Sequence, residues 1–65
     1  MNTKANPNPD WTALSPEGVW RVQRLAFPLA LGFTPKEIGA ALGETSAWVS
    51  SQLGELRDEL QRMAQ

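Results

Sequence analysis

The sequence predicts an all-α fold: a three-helix orthogonal bundle with a helix-turn-helix motif, a long C-terminal helix and a disordered N-terminal tail. Three observations lead there. A capping residue, a proline and an acid follow one another in two places, at Ser15-Pro16-Glu17 and at Thr34-Pro35 with Glu37. Gly43 is followed almost at once by Thr45-Ser46, which leaves room only for a tight turn between two helices. Apolar residues recur at three- and four-residue spacing on both sides of that turn.

Residues 1–10, MNTKANPNPD, hold three Asn, two Pro and no apolar periodicity, so nothing in them offsets the entropy of ordering. They read as a flexible tail with one positive charge, Lys4, and the folded part spans residues 11–65. The first helix starts at Pro16, behind the Ser15 cap, with Leu14 and Val19 placed to form a hydrophobic staple. Val19, Val22, Leu25, Ala26 and Leu29 line one face of it. Trp20, Phe27 and Leu31 make a second apolar stripe, and either Trp11 folding back or a second copy of the chain is expected to cover it. Pro28 has no N–H and crowds the carbonyl of Arg24, so the helix is expected to kink or end near Phe27.

Gly32 punctuates the chain before the second helix. Thr34 caps it, Pro35 fits its first position, and Glu37 completes a capping box; Phe33 and Ile38 are spaced as a staple. Ile38, Ala41 and Leu42 form its apolar stripe until Gly43 ends it with a φ > 0 residue. Thr45 or Ser46 caps the third helix, which runs to about Arg62 and carries Val49, Leu53, Leu56, Leu60 and Met63 in a narrow band. Gly39 is expected where the second and third helices touch.

Composition removes several classes of function. The chain has 65 residues, no Cys and no His, which excludes disulfides, zinc fingers, Cys or His nucleophiles and the commonest general base. No cofactor is implied, and serines without a His partner give no support to an enzyme. The longest apolar run, Leu25 to Phe33, is broken by Pro28 and Gly32 and falls far short of the roughly 20 residues a membrane span requires. With no secretory h-region, the expectation is a cytoplasmic protein that does not engage a membrane.

Ile38-Gly39-Ala40-Ala41-Leu42-Gly43, then Thr45-Ser46, then Val49, Leu53 and Leu60, resembles the helix-turn-helix of sigma factor region 4 and of LuxR-type C-terminal domains. The bracing helix from Leu14-Ser15-Pro16 onward sits where those families place theirs, and the similarity covers roughly residues 14–60. It implies that helix 46–62 reads a DNA major groove through Thr45, Ser46, Ala47, Ser50 and Ser51, with Gln52 and Trp48 flanking. Ser and Gln can both hydrogen-bond base edges. Lys36 and Arg57 are the phosphate contacts expected nearby, with Arg21 and Arg24 on the bracing helix. The chain departs from the pattern at Glu44, where an aliphatic residue is usual, and in having few cations along the third helix.

From Thr34 to Leu60 two cations, Lys36 and Arg57, face five carboxylates, Glu37, Glu44, Glu55, Asp58 and Glu59, a net −3. Phosphate neutralisation supplies most non-specific affinity, so DNA binding by a monomer is expected to be weak and a homodimer to be needed. The alternative is a helix-turn-helix fold used for protein contact, such as an antiactivator that binds a larger regulator. On that reading Trp48 is the expected hot spot, while Trp20, Phe27 and Leu31, together with Leu56, Leu60 and Met63 near the chain end, are the surface expected to form the homodimer. Ala47 with Ser51, and Ser50 with Gly54, make the outer face of the third helix nearly smooth, which suits either partner.

Overall fold

The computed structural model describes residues 13–64. The expectations placed on the tail, with Lys4, and on Trp11 lie outside these residues. Among the described residues the fold is all-α, with three helices. The first, α1, is α-helical over Pro16–Arg21, π-helical over Val22–Ala26 and α-helical again over Phe27–Ala30. Then come α2, Pro35–Leu42, and α3, Ser46–Met63. None of the described helices is long and apolar enough to cross a membrane.

Each helix starts where its cap lies. Ser15 Oγ accepts from the Gly18 N–H at 2.9 Å. The Thr34 hydroxyl accepts from the Glu37 N–H at 3.1 Å while the Glu37 carboxylate accepts from the Thr34 N–H at 2.8 Å, the reciprocal pair of a capping box. Thr45, rather than Ser46, caps α3, accepting from the Trp48 N–H at 3.0 Å. Both turns use glycine at positive φ, +103° at Gly32 and +73° at Gly43, which other residues reach only with strain.

Pro28 neither ends nor breaks α1. The turns before it widen instead, so that the Phe27 N–H reaches back to the Val22 carbonyl. The pyrrolidine ring would crowd the carbonyl four residues earlier in an ordinary helix, and a π-helical stretch upstream gives it room. The inner face of α1 also differs from the one its periodicity suggests. Leu25 is fully buried and Val22 and Ala26 are half-buried, but Val19 and Leu29 are 40% and 41% exposed. At the start of α1 it is Gly18 that turns inward, with the Leu14 side chain close over it, so the expected Leu14–Val19 staple gives way to Leu14 on Gly18.

The core is a junction of one buried residue from each helix: Leu25 of α1, Ile38 of α2 and Val49 of α3. Leu42, Trp48 and Leu53 pack round it, and Leu56 is buried further along α3. At about 1.5–3 kcal/mol for each fully buried aliphatic side chain, so few residues leave a small margin, and local devices such as the caps carry weight.

Gly39 lets α2 and α3 approach. A Cβ there would lie 2.7 Å from the Glu44 carbonyl oxygen and 3.1 Å from the Thr45 carbonyl, both backbone atoms of the turn that cannot swing aside. Gly39→Val should therefore cost about 1–3 kcal/mol or more by overpacking. Gly54, in the open middle of α3, has nothing within 4 Å of such a Cβ, so Gly54→Ala should gain up to about 1 kcal/mol of helix propensity. Thermal melts of the two variants should move in opposite directions; a Gly39→Val melting temperature equal to wild type would refute the packing described here.

Candidate nucleic-acid interface

The residues singled out for DNA contact divide by position on α3. Val49 and Leu56 hold the helix to the core. On the opposite side one line of the helix carries Ala47, Ser51, Gly54 and Asp58, and the flank between that line and Val49 carries Ser46, Ser50 and Arg57, as the 3.6-residue repeat requires. Thr45, Ser46, Ala47, Ser50 and Ser51 are all exposed. The first two turns of α3 therefore offer a surface of small, uncharged side chains with hydroxyl donors and acceptors. Beyond Gly54 the same side turns acidic, at Glu55 and Asp58.

Gln52 sits apart from this group. It is half-buried toward α1, and its amide oxygen accepts from Arg21 Nε at 2.9 Å. That bond also turns Arg21 away from solvent, which leaves Lys36 and Arg24 as exposed cations on α2 and α1. Arg57 is exposed too, but its Nε lies 3.7 Å from the Asp58 carboxylate, a surface pairing worth little in stability that nevertheless offsets its charge.

The residues expected at a protein interface are likewise split. Trp48 is half-buried at the edge of the core and meets Trp20 edge to face, with ring centroids 5.9 Å apart at 77°. Leu60 is half-buried beside a shallow groove shared with Leu53, Leu56 and Ala64. Phe27 and Leu31 are exposed to 61% and 79%. Between α1 and α2 lies a larger open groove of about 430 Å³, lined by Pro28, Phe33, Ile38, Ala41 and Leu42 among others, with Arg24 and Glu37 contributing polar atoms. Among the described residues no group of acids converges to hold a metal ion.

One residue that orders the site escaped the sequence reading. Glu59 of α3, counted there only toward the acidic balance, reaches the start of α1: its carboxylate accepts from the Ser15 N–H at 2.8 Å and from the Ser15 hydroxyl at 3.0 Å. The absence of a side chain at Gly18 admits it, since a Cβ there would collide with the Glu59 carboxylate. The readable signal was its place on α3, three residues after buried Leu56 and on the side that faces α1. The Ser15 N–H holds the Glu59 carboxyl below its ordinary range; partial desolvation opposes this, and the Ser15 hydroxyl, Arg21 and Arg62 reinforce it.

No family model, characterised protein or solved structure matches the chain when it is compared with known proteins.

Folding lowers the pKa of Glu59, so its tie to Ser15 stabilises the fold above the unfolded-state value and is lost as pH falls through the folded-state value. Glu59→Gln should thus be less stable than wild type at about pH 7, with the gap narrowing as pH falls through the lowered folded-state value and the wild-type carboxylate becomes protonated. Urea melts over a descending pH series would show it. A deficit of constant size throughout would mean that the charge of Glu59 plays no part.

Proposed function

We propose that the chain is a small helix-turn-helix DNA-binding protein, acting in transcription regulation, that lays the first two turns of α3 in a major groove. The observation that carries this is the exposed, uncharged, small-residue surface of Ser46, Ala47, Ser50 and Ser51, held out from the bundle while Val49 anchors the other side of the same turns. A helix without long side chains on its outer face can sit deep in a groove, and its hydroxyls can donate to or accept from base edges. Thr45 at the cap, Lys36 in the first turn of α2 and Arg57 further along α3 supply the flanking contacts. Gln52 contributes by fixing Arg21 rather than by reading a base. The location that goes with this reading is the cytoplasm.

A second reading, a helix-turn-helix fold turned to protein contact, draws on two different observations. The α2–α3 segment carries a net −3, and the groove between α1 and α2 is apolar and open. An antiactivator that seats a side chain of a regulator in that groove would need neither cations nor a bare α3. Under this reading α3 serves as scaffold, and Trp48 as part of the core edge.

Fluorescence anisotropy against a pool of genomic duplexes at low salt separates the two. Wild type should bind; Ser50→Glu, which places a carboxylate on the proposed groove face without touching a buried position, should abolish binding. Lys36→Ala should weaken binding to all sequences alike and lower the salt dependence by about one phosphate's worth. If wild type fails to bind at low salt, the DNA reading fails.

A further inference from the structure

The groove between α1 and α2 has an apolar floor and two walls of opposite charge. Buried Ile38 and half-buried Leu42 make the floor, with Pro28 and Phe33 beside them. The turn between the helices fixes those two relative to each other, because the Phe33 N–H donates to the Pro28 carbonyl at 3.1 Å. Phe33 stays 52% exposed. On the α1 wall stand Gln23 and Arg24, both in the π-helical stretch, a geometry that recurs at functional sites. On the α2 wall stands Glu37, one of whose carboxylate oxygens is taken by the Thr34 N–H. Arg24 and Glu37 form no ion pair with each other, and among the described residues the Arg24 guanidinium has no hydrogen-bond partner.

We propose that this groove binds a free amino acid with an apolar side chain, aromatic or branched aliphatic. The side chain lies against Phe33, Ile38 and Ala41. The α-carboxylate accepts from the Arg24 guanidinium, and the α-ammonium donates to the second oxygen of Glu37. Two opposite charges on facing walls, too far apart to pair, are complementary to a molecule that carries both charges close together in the reverse order. A purely anionic or purely cationic ligand would satisfy one wall and meet like charge on the other.

Size favours a small molecule over a protein segment. At about 430 Å³ the groove falls within the range of small-ligand sites, roughly 300–1,000 Å³. The α2 wall has eight residues, a length of about 12 Å, which is too short for a partner helix that engages several turns. The protein-contact reading gives the same groove to a partner's side chain, so the experiment has to separate the two occupants. Binding there uses no residue of α3 and does not depend on whether α3 contacts DNA.

The test titrates the isotope-labelled full chain with L-phenylalanine and follows its amide chemical shifts. Saturable changes are expected at Arg24, Phe33, Ile38 and Ala41, with a dissociation constant on the order of a millimolar for a ligand of about a dozen heavy atoms. Three probes remove the charges in turn. Hydrocinnamate lacks the ammonium, phenethylamine lacks the carboxylate, and N-acetylphenylalaninamide, which presents the side chain as a protein would, lacks both. Each should bind about threefold or more weakly than L-phenylalanine. Arg24→Gln should abolish the preference over phenethylamine by loosening L-phenylalanine alone. Glu37→Gln, which keeps an oxygen for the Thr34 N–H, should abolish the preference over hydrocinnamate in the same way. Both side chains are exposed, so circular dichroism of the variants should match wild type. No saturable shift with L-phenylalanine, shifts centred away from the groove, N-acetylphenylalaninamide binding as tightly as L-phenylalanine, or a preference that survives Arg24→Gln would overturn the proposal. The third of these would assign the groove to a side chain of a partner protein.

Discussion

The arrangement depends on how closely the start of α3 can follow the end of α2. Gly43, Glu44 and Thr45 make the whole connection, with Gly43 at φ +73° and the Glu44 N–H bonded back to the Gly39 carbonyl at 2.8 Å. Gly39 is also where a side chain would strike the turn backbone. One glycine thus accepts the hydrogen bond of the turn and vacates the space the turn occupies. With the turn fixed, Val49 is directed into the junction with Leu25 and Ile38, and the serines on the other side of α3 are directed out. The exposed serine surface follows from packing that it does not itself take part in.

The first helix closes the bundle by two polar ties along α3. Glu59 holds its start through Ser15, and Gln52 holds Arg21 one turn and a half further on. Leu25 then enters the core between the two other helices. In a chain with so few fully buried side chains, these ties set the angle at which α1 lies, because hydrophobic burial alone is non-directional. They also consume two of the groups whose charge or hydrogen-bonding capacity had looked free for a partner. The acidic balance of the helix-turn-helix segment is in this sense partly structural: Glu37 serves its own cap and Glu59 serves α1.

Local grammar made the helices legible. Caps at Ser15, Thr34 and Thr45, proline at the first helical position and glycine past the end act within four residues of one another, so their meaning does not depend on the rest of the fold. The contact at Gly39 was readable for the same reason, being four residues from the turn. What could not be read was set by tertiary geometry. Whether Pro28 ends a helix or widens it depends on what the helix gains by continuing, here the burial of Leu25 and the start of the turn to α2. Val19 and Leu29 were placed inward by a 3.6-residue period that the π-helical segment does not keep. Gln52 and Glu59 looked like surface residues because their partners, Arg21 and Ser15, are more than thirty residues away in sequence.

The central claim is that α3 is oriented so that its first two turns form the working surface, while the long acidic remainder ties the bundle together. Amide chemical-shift mapping by NMR, with the labelled chain titrated with duplex DNA at low salt, tests this directly. The expected result is a set of perturbations confined to Lys36, Thr45, Ser46, Ala47, Ser50 and Ser51, with the amides round Ser15 and Glu59 unmoved. Perturbations centred instead on the back of α1, or none at DNA concentrations well above that of the protein, would contradict it.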